Sequence, residues 1–291
     1  MWILITLLCA FSLAVRDTAI KLLSREHSVL FLAVFSSLVS GIATLIYHLL
    51  FFPIDVRAFF GPANLPLIAV LLPLDTLAVF LYYVAISRSP LSLTVPFLAF
   101  TPVFIPLTSW IFLREGVAPM AFVGILLVAV GGYTLFFHSF SELLIPFKRF
   151  AREPGSVLML VVAMIYTVTS VLGRKMVLSV GSANMGAFYP ITSALLLAGV
   201  FLLSHRHGKE KLRFGRPGLF LVAGLAGAVM ITAHFTAISM VNAAYMITLK
   251  RTSALFSMGF AALIFRERDV PKRMAGAALM LAGVVVLVFF G

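Results

Sequence analysis

Lys250 and Arg251 stand side by side in the stretch ITLKRTSALF, with no charge in 243–249 before them or in 254–265 after them. A cation deep in hydrocarbon costs ~2.5–3.5 kcal/mol on insertion scales, so two adjacent ones need water or partners. The chemistry they offer is anion binding. An ammonium is a compact point charge, and a guanidinium is a flat fork that matches a carboxylate or a phosphate. Neighbouring residues on a helix point ~100° apart, which separates the pair. Lys250 shares its stripe with Met246, Ser253 and Ser257, and Arg251 shares its stripe with Ile247, Leu255 and Met258. The polar stripe makes Lys250 the expected wall of a cavity, and Arg251 the group that holds a neighbouring helix, through carbonyls freed at a proline kink.

Other polar groups lie at comparable depth. Asp75 sits near the middle of the apolar stretch 64–87, within about one turn of the level of Lys250. It either balances Lys250 in an empty cavity and meets the amine of a zwitterion, or forms a buried structural pair with it. His234 is a proton relay or a hydrogen-bonded packing residue, and Asp75 is a second candidate proton carrier. Tyr82 lies seven residues after Asp75 on the same face, and Tyr166, Thr169, Ser170 and Gly173 form one face of another stretch. Those hydroxyls either bind a polar ligand or join helices. Asp17 is expected to pair with Lys21 one turn on. Arg16, Lys21, Arg174 and Lys175, near stretch ends, read as snorkelling anchors, and Tyr245 as a residue of the membrane interface.

The elements that must position these groups are apolar runs of about 20 residues recurring along the whole chain. Of the 291 residues 62% are hydrophobic and 11% charged, and the mean hydropathy is +1.12. No soluble domain of this size shows water so little polar surface. Ten spans are predicted, at roughly 2–23, 29–52, 64–87, 91–113, 117–137, 156–178, 183–204, 217–240, 243–265 and 271–290. The first has no basic leader and carries Arg16, Asp17 and Lys21, which argues against a cleaved signal peptide. Pro96, Pro102 and Pro106 should bend the fourth span, and Pro66 and Pro73 fall in the third. Residues 138–155 read as an amphipathic connection, with Leu143, Leu144, Phe147 and Phe150 on one face.

The net charge of +12 belongs to loops rather than to a nucleic-acid surface. The loops on the side reached after the first span carry fifteen Lys and Arg, against Arg57, Arg114, Arg174 and Lys175 on the other. The positive-inside rule makes the first side cytoplasmic and leaves both termini outside.

The chain repeats itself. Residues 82–137 and 234–289 align without a gap at an offset of 152, matching Ala85/Ala237, Ile86/Ile238, Ser87/Ser239, Arg114/Arg266, Glu115/Glu267, Pro119/Pro271, Gly124/Gly276 and Gly131/Gly283. Each copy holds five spans. Five is odd, so the second copy enters the membrane upside down. Inverted repeats of this kind build a central site at their interface and rock about it.

The segments FLREGVAPMAFVGILLVAVGG and FRERDVPKRMAGAALMLAG resemble the EamA family of the drug/metabolite transporter superfamily over nearly the whole chain. Glu115 and Glu267 are the most specific elements, and LKRTSALFS is similar to a subgroup with Lys-Arg in the ninth span. The resemblance implies a ten-helix basket, export or exchange of small metabolites, and cytoplasmic termini, the reverse of the charge count.

The expected fold is therefore an all-α membrane protein of ten transmembrane helices in two inverted five-helix repeats, 1–137 and 156–291, joined by 138–155. The expected function is a non-ATP carrier of amino-acid-like or organic-acid solutes in the inner membrane of a bacterial-type cell. Two readings stand beside it: a transport-inactive structural or regulatory protein of the same fold, and an exporter of lipophilic cations or drugs. Substrate contacts fall to Lys250, Asp75, Ser253, Ser257, Tyr82, His234, Tyr166 and Ser170, and structural or coupling roles to Arg251, Glu115, Glu267 and Asp17. No Walker A loop, HExxH, EF-hand or Gly-x-Ser-x-Gly motif occurs, so no ATP site, metal, cofactor or enzyme activity is expected. The single cysteine, Cys9, excludes an internal disulfide framework. The partners expected are a small-molecule substrate and the lipid bilayer, without nucleic acid, for a monomer or a homodimer. A phosphatase fused to Gly291 should be active and a fluorescent protein there dark; the opposite pair of results would reverse the orientation.

Overall fold

The computed structural model describes residues 1–24, 26–88, 95–135, 137, 144–149, 152–204, 216–265 and 274–291. Every regular element among them is helical. The first half holds α1 (Trp2–Leu23), α2 (Val29–Phe51), the short α3 (Val56–Phe60), α4 (Leu65–Arg88), a 3-10 stretch (Val95–Phe100), α5 (Thr101–Leu113) and α6 (Pro119–Thr134). After α7 (Ile145–Arg149) come α8 (Pro154–Val180), α9 (Ser182–Ser204), α10 (Pro217–Met240), α11 (Ala243–Lys250), α12 (Ser253–Phe265) and α13 (Met274–Phe290). In hydrocarbon no water satisfies a free backbone group, so apolar segments of this length have only helix open to them.

Among the described residues six helices are long and apolar enough to cross a membrane: α1, α2, α4, α8, α9 and α10. The segments Phe97–Leu113, Pro119–Thr134 and Met274–Phe290 are apolar but shorter. The predicted ninth span is not one helix. It is divided between α11 and α12, and the 13 residues of α12 reach only ~20 Å at 1.5 Å per residue, against a core of ~30 Å. In the predicted amphipathic connection, Phe147 packs edge-on to Phe97 at 5.7 Å and lies 5.8 Å from Tyr133, while Leu144 is exposed. Leu143 and Phe150 lie outside the described residues.

Hydrogen bonds and an ion pair sort the connections into two ends. At one, Arg216 pairs with Glu26 at 3.2 Å. At the other, Ser179 Oγ donates to Asn64 Oδ1 at 2.9 Å, the Asp55 amide donates to Asn184 Oδ1 at 2.7 Å and Asn242 Nδ2 donates to the Gly116 carbonyl at 3.4 Å. Each connection named falls in the group to which the charge count assigns it.

The offset of 152 recurs in the helices themselves. Adding it to the bounds of α4 and α5 gives those of α10 and α12. Packing follows the same equivalence. α1 lies on α10 as α8 lies on α4, α8 on α5 as α1 on α12, and α2 meets its own equivalent α9. The crossing of α6 with α13 is reciprocal to the residue. A Cβ on Gly124 would lie 2.8 Å from the Gly283 carbonyl oxygen, and one on Gly131 would lie 2.7 Å from that of Gly276. From the opposite side, a Cβ on Gly283 would lie 2.7 Å from the Gly124 oxygen and one on Gly276 2.9 Å from that of Gly131. Gly276 is the repeat partner of Gly124, and Gly283 of Gly131, so each glycine meets the other's equivalent, as a two-fold axis requires. Small residues at such a crossing let the backbones meet where lipid gives no hydrophobic drive to associate.

Gly131→Ala should lower stability in detergent by about 1–3 kcal/mol, the usual cost of overpacking. Gly199→Ala, where nothing lies within 4 Å, should be neutral or stabilising by up to about 1 kcal/mol. Thermal unfolding of the two purified variants checks this, and equal shifts would remove the crossing from the account.

Candidate functional site

Both halves break a helix at the same place. In the first half the 3-10 stretch gives way to α5 at Thr101, with Pro102 in its first turn and Pro106 inside it. In the second, α11 ends at Lys250 and α12 begins at Ser253. No proline explains that break. Thr252 Oγ1 donates to the Leu249 carbonyl at 2.7 Å, and the Arg251 and Thr252 amides turn back to the Thr248 and Leu249 carbonyls at 3.1 and 3.0 Å. A short polar side chain thus competes with the helix for its own carbonyls.

The break aims the two cations in different directions. Lys250 Nζ lies 3.3 Å from His234 Nδ1 on α10, with Cys9, Arg16 and Asp17 of α1 among its nearest ionisable neighbours. Which nitrogen donates in this contact depends on the tautomer of the His234 ring. Arg251 has the phenols of Tyr166 and Tyr82 as its ionisable neighbours. Its Nε is buried and, among the described residues, has no hydrogen-bond partner. The sequence reading gave Arg251 the helix-holding role and Lys250 the open one. The structure gives Lys250 the side-chain partner and leaves Arg251 with unspent capacity.

Asp75 does not form an ion pair with Lys250. Its Oδ2 accepts from the Tyr189 hydroxyl of α9 at 2.8 Å, and Thr169 of α8 is a second hydroxyl on the same carboxyl. Tyr189 escaped the sequence reading, although a phenol in the middle of an apolar span was the available signal. Tyr82 and Tyr166 pack beside Ala85, Phe97, Met159 and Val162, next to the first break. Ser170, Ser253 and Ser257 are half-buried. α12 lies against α1, where Phe256 and Phe260 flank Phe11 at 5.5 and 5.7 Å. Threonines tie α5 to α8: Thr108 Oγ1 donates to the Thr167 carbonyl at 3.2 Å and Thr167 Oγ1 to that of Thr101 at 3.4 Å.

Nearer one end sits a second polar group. Arg114 caps α5 in the left-handed region, φ 59°, and the Glu115 amide returns to the Ser109 carbonyl at 3.3 Å, a closure typical of helix C-termini. The turn presents Glu115 to Arg174 of α8. Arg174 Nε lies 3.0 Å from both carboxylate oxygens and Nη2 2.8 Å from Oε1. Nη1 of Arg174 donates to the carbonyls of Ile238 and Val241 at the end of α10. Arg174 is buried, 8% exposed, and is a clamp across three elements rather than the snorkelling anchor expected. Tyr245 is likewise buried rather than interfacial, and its hydroxyl accepts from the Ala118 amide at 3.1 Å, at the start of α6. Asp17 accepts from Arg16 at 2.9 Å. Glu267 lies outside the described residues.

The model of the EamA-like transporter family matches residues 1–137 and 153–289. The chain belongs to that family. The two matched segments start 152 residues apart, as the repeats do. The family is one of transporters rather than enzymes, and the chain is an integral multi-pass membrane protein. A solved structure described only as "Crystal structure of protein" superposes with a TM-score of 0.76 over 98% of this chain and 96% of that one, at 17% identity, which shows the fold alone. No curated protein matches the chain.

If Tyr189 holds the Asp75 carboxylate, Tyr189→Phe and Asp75→Asn should be coupled by about 1.5–3 kcal/mol, the range for a hydrogen bond to a charged group. A double-mutant cycle on thermal stability measures this. Strictly additive effects would leave the contact without energetic weight.

Proposed function

We propose that this chain is a ten-span carrier built from two inverted repeats, 1–137 and 156–291, that moves a small organic metabolite bearing a negative charge by alternating access. The observation that carries the proposal is the pair of helix breaks at equivalent positions, one of which holds Arg251 with a buried Nε that has no hydrogen-bond partner among the described residues. Discontinuous helices at the repeat interface are where such carriers bind their solutes. A guanidinium with a donor to spare favours a carboxylate or phosphate over a permanent cation.

The roles are shared out as follows. Arg251, flanked by Tyr166 and Tyr82, receives the anionic group. Lys250, steadied by His234, adds positive potential from the α1 side. Asp75, held by Tyr189, sits across from them and takes an amine when the solute is a zwitterion. Ser170, Ser253 and Ser257 supply neutral hydroxyls. Without an ATP motif in this chain, a gradient of ions or of exchanged solute drives transport, and export or exchange is the proposed direction. The termini lie outside, following the charge bias, in a bacterial-type inner membrane.

In proteoliposomes, a panel of labelled amino acids and organic acids should yield at least one solute that moves down its gradient. Arg251→Gln and Lys250→Ala should each abolish that flux while the protein stays inserted and monodisperse. No flux of any solute under any gradient would favour an inactive structural protein of the same fold. A best substrate that is a quaternary ammonium would overturn the anion site.

A further inference from the structure

At the end that holds Gly116 and Asn242, α11 packs against α5 and α6 of the other half. One of the two broken helices thus closes this end across the repeat interface.

Polar groups gather at the same end. At the closed end Arg174 spans Glu115 and the carbonyls of Ile238 and Val241, Asn242 reaches the Gly116 carbonyl, and Tyr245 meets the Ala118 amide. Shifted by 152, Arg174 corresponds to Leu22, Asn242 to Pro90 and Tyr245 to Leu93. Only Glu115 keeps its type, as Glu267. The cation that makes the clamp has no counterpart of its kind in the other half.

Resting on the carrier reading above, we propose that Arg174 and Glu115 are a latch that holds this side of the transporter shut, one that the other half cannot copy with Leu22 at the position of Arg174. Arg174 suits the task because it joins three separate elements at one buried point. Opening this end must draw α5 and the end of α10 away from α8, and each separation strips the guanidinium of a partner. An uncompensated charge left at such a site is costly, so the latch makes the closed arrangement the resting one. Arg174 and Glu115 are positioning residues in this scheme, for they set which side is open and touch no solute.

The test reads accessibility, which a merely structural pair would not redirect. In a Cys9→Ala background, Ser170→Cys on α8 reports reagent entry toward the break. A membrane-impermeant thiol reagent is applied to right-side-out cells and to inverted vesicles. The parent should label from the side of Glu26 and Arg216 and resist labelling from the side of Gly116 and Asn242. Glu115→Gln should raise labelling from the latched side about tenfold, which corresponds to about 1.4 kcal/mol, and Arg174→Lys should give a smaller rise by keeping the charge while losing the fork. Arg174→Gln tests the same point, and Glu115→Gln serves if that variant does not fold. Labelling of the reporter that is the same in the parent and in Glu115→Gln from both sides, absent labelling included, would overturn the latch. With flux measured on the chain that keeps Ser170, a shift in labelling without any flux would keep the latch and remove the carrier reading, and flux with unmoved labelling would do the reverse.

Discussion

Inside a bilayer an amide or carbonyl that finds no partner within the chain finds none at all, and this constraint governs the rest of the molecule. It makes the segments helical before any side chain is considered. It also makes each interruption of a helix expensive, so interruptions survive where something covers them. The breaks at Phe100–Thr101 and Arg251–Thr252 lie inside, and the carbonyls freed at the second are taken up by Thr252 and by turned-back amides. The same pressure governs the charges. Lys250, Asp75 and Arg174 each reach a named partner at 3.3 Å or less. Against that background the buried Nε of Arg251 stands out, for it has no hydrogen-bond partner among the described residues.

Much of the architecture was legible because it rests on spacing. Hydropathy located the six membrane-length helices and the shorter apolar ones among the described residues, and the offset of 152 found at Ala85 and Ala237 returned as the displacement between α4 and α10 and between α5 and α12. The glycines that align in the two halves, Gly124 with Gly276 and Gly131 with Gly283, turned out to be the contact itself. What spacing could not supply was azimuth and partner. A wheel drawn for an unbroken helix cannot place residues on either side of a break, so it did not show that Lys250 meets His234 or that Arg251 lies beside Tyr166 and Tyr82. Depth alone made Asp75 and Lys250 look like a pair, whereas Tyr189 and His234, contributed by other helices, claimed them first.

Arg174 shows the limit from another side. It occupies a helix end, where a long basic side chain usually snorkels to water. Its burial depends on Glu115, delivered by a left-handed residue sixty positions earlier, and on carbonyls more than sixty positions later. No local pattern encodes such a meeting. The threonines that join α5 to α8 belong to the same category, for a hydroxyl bonded to a distant carbonyl reads locally as one polar position in an apolar run.

The reciprocal glycine crossing fixes an order of events during synthesis. α6 is complete at Thr134, but the surface that fits its glycines is α13, Met274–Phe290, 140 residues later in the chain (134 to 274). Until the ribosome has delivered α13, the groove on α6 lacks its partner, and any chain stopped before Met274 leaves it unfilled. Quality control that recognises unfilled small-residue grooves in the bilayer would therefore see a truncated chain as unfinished even when its earlier helices are in place.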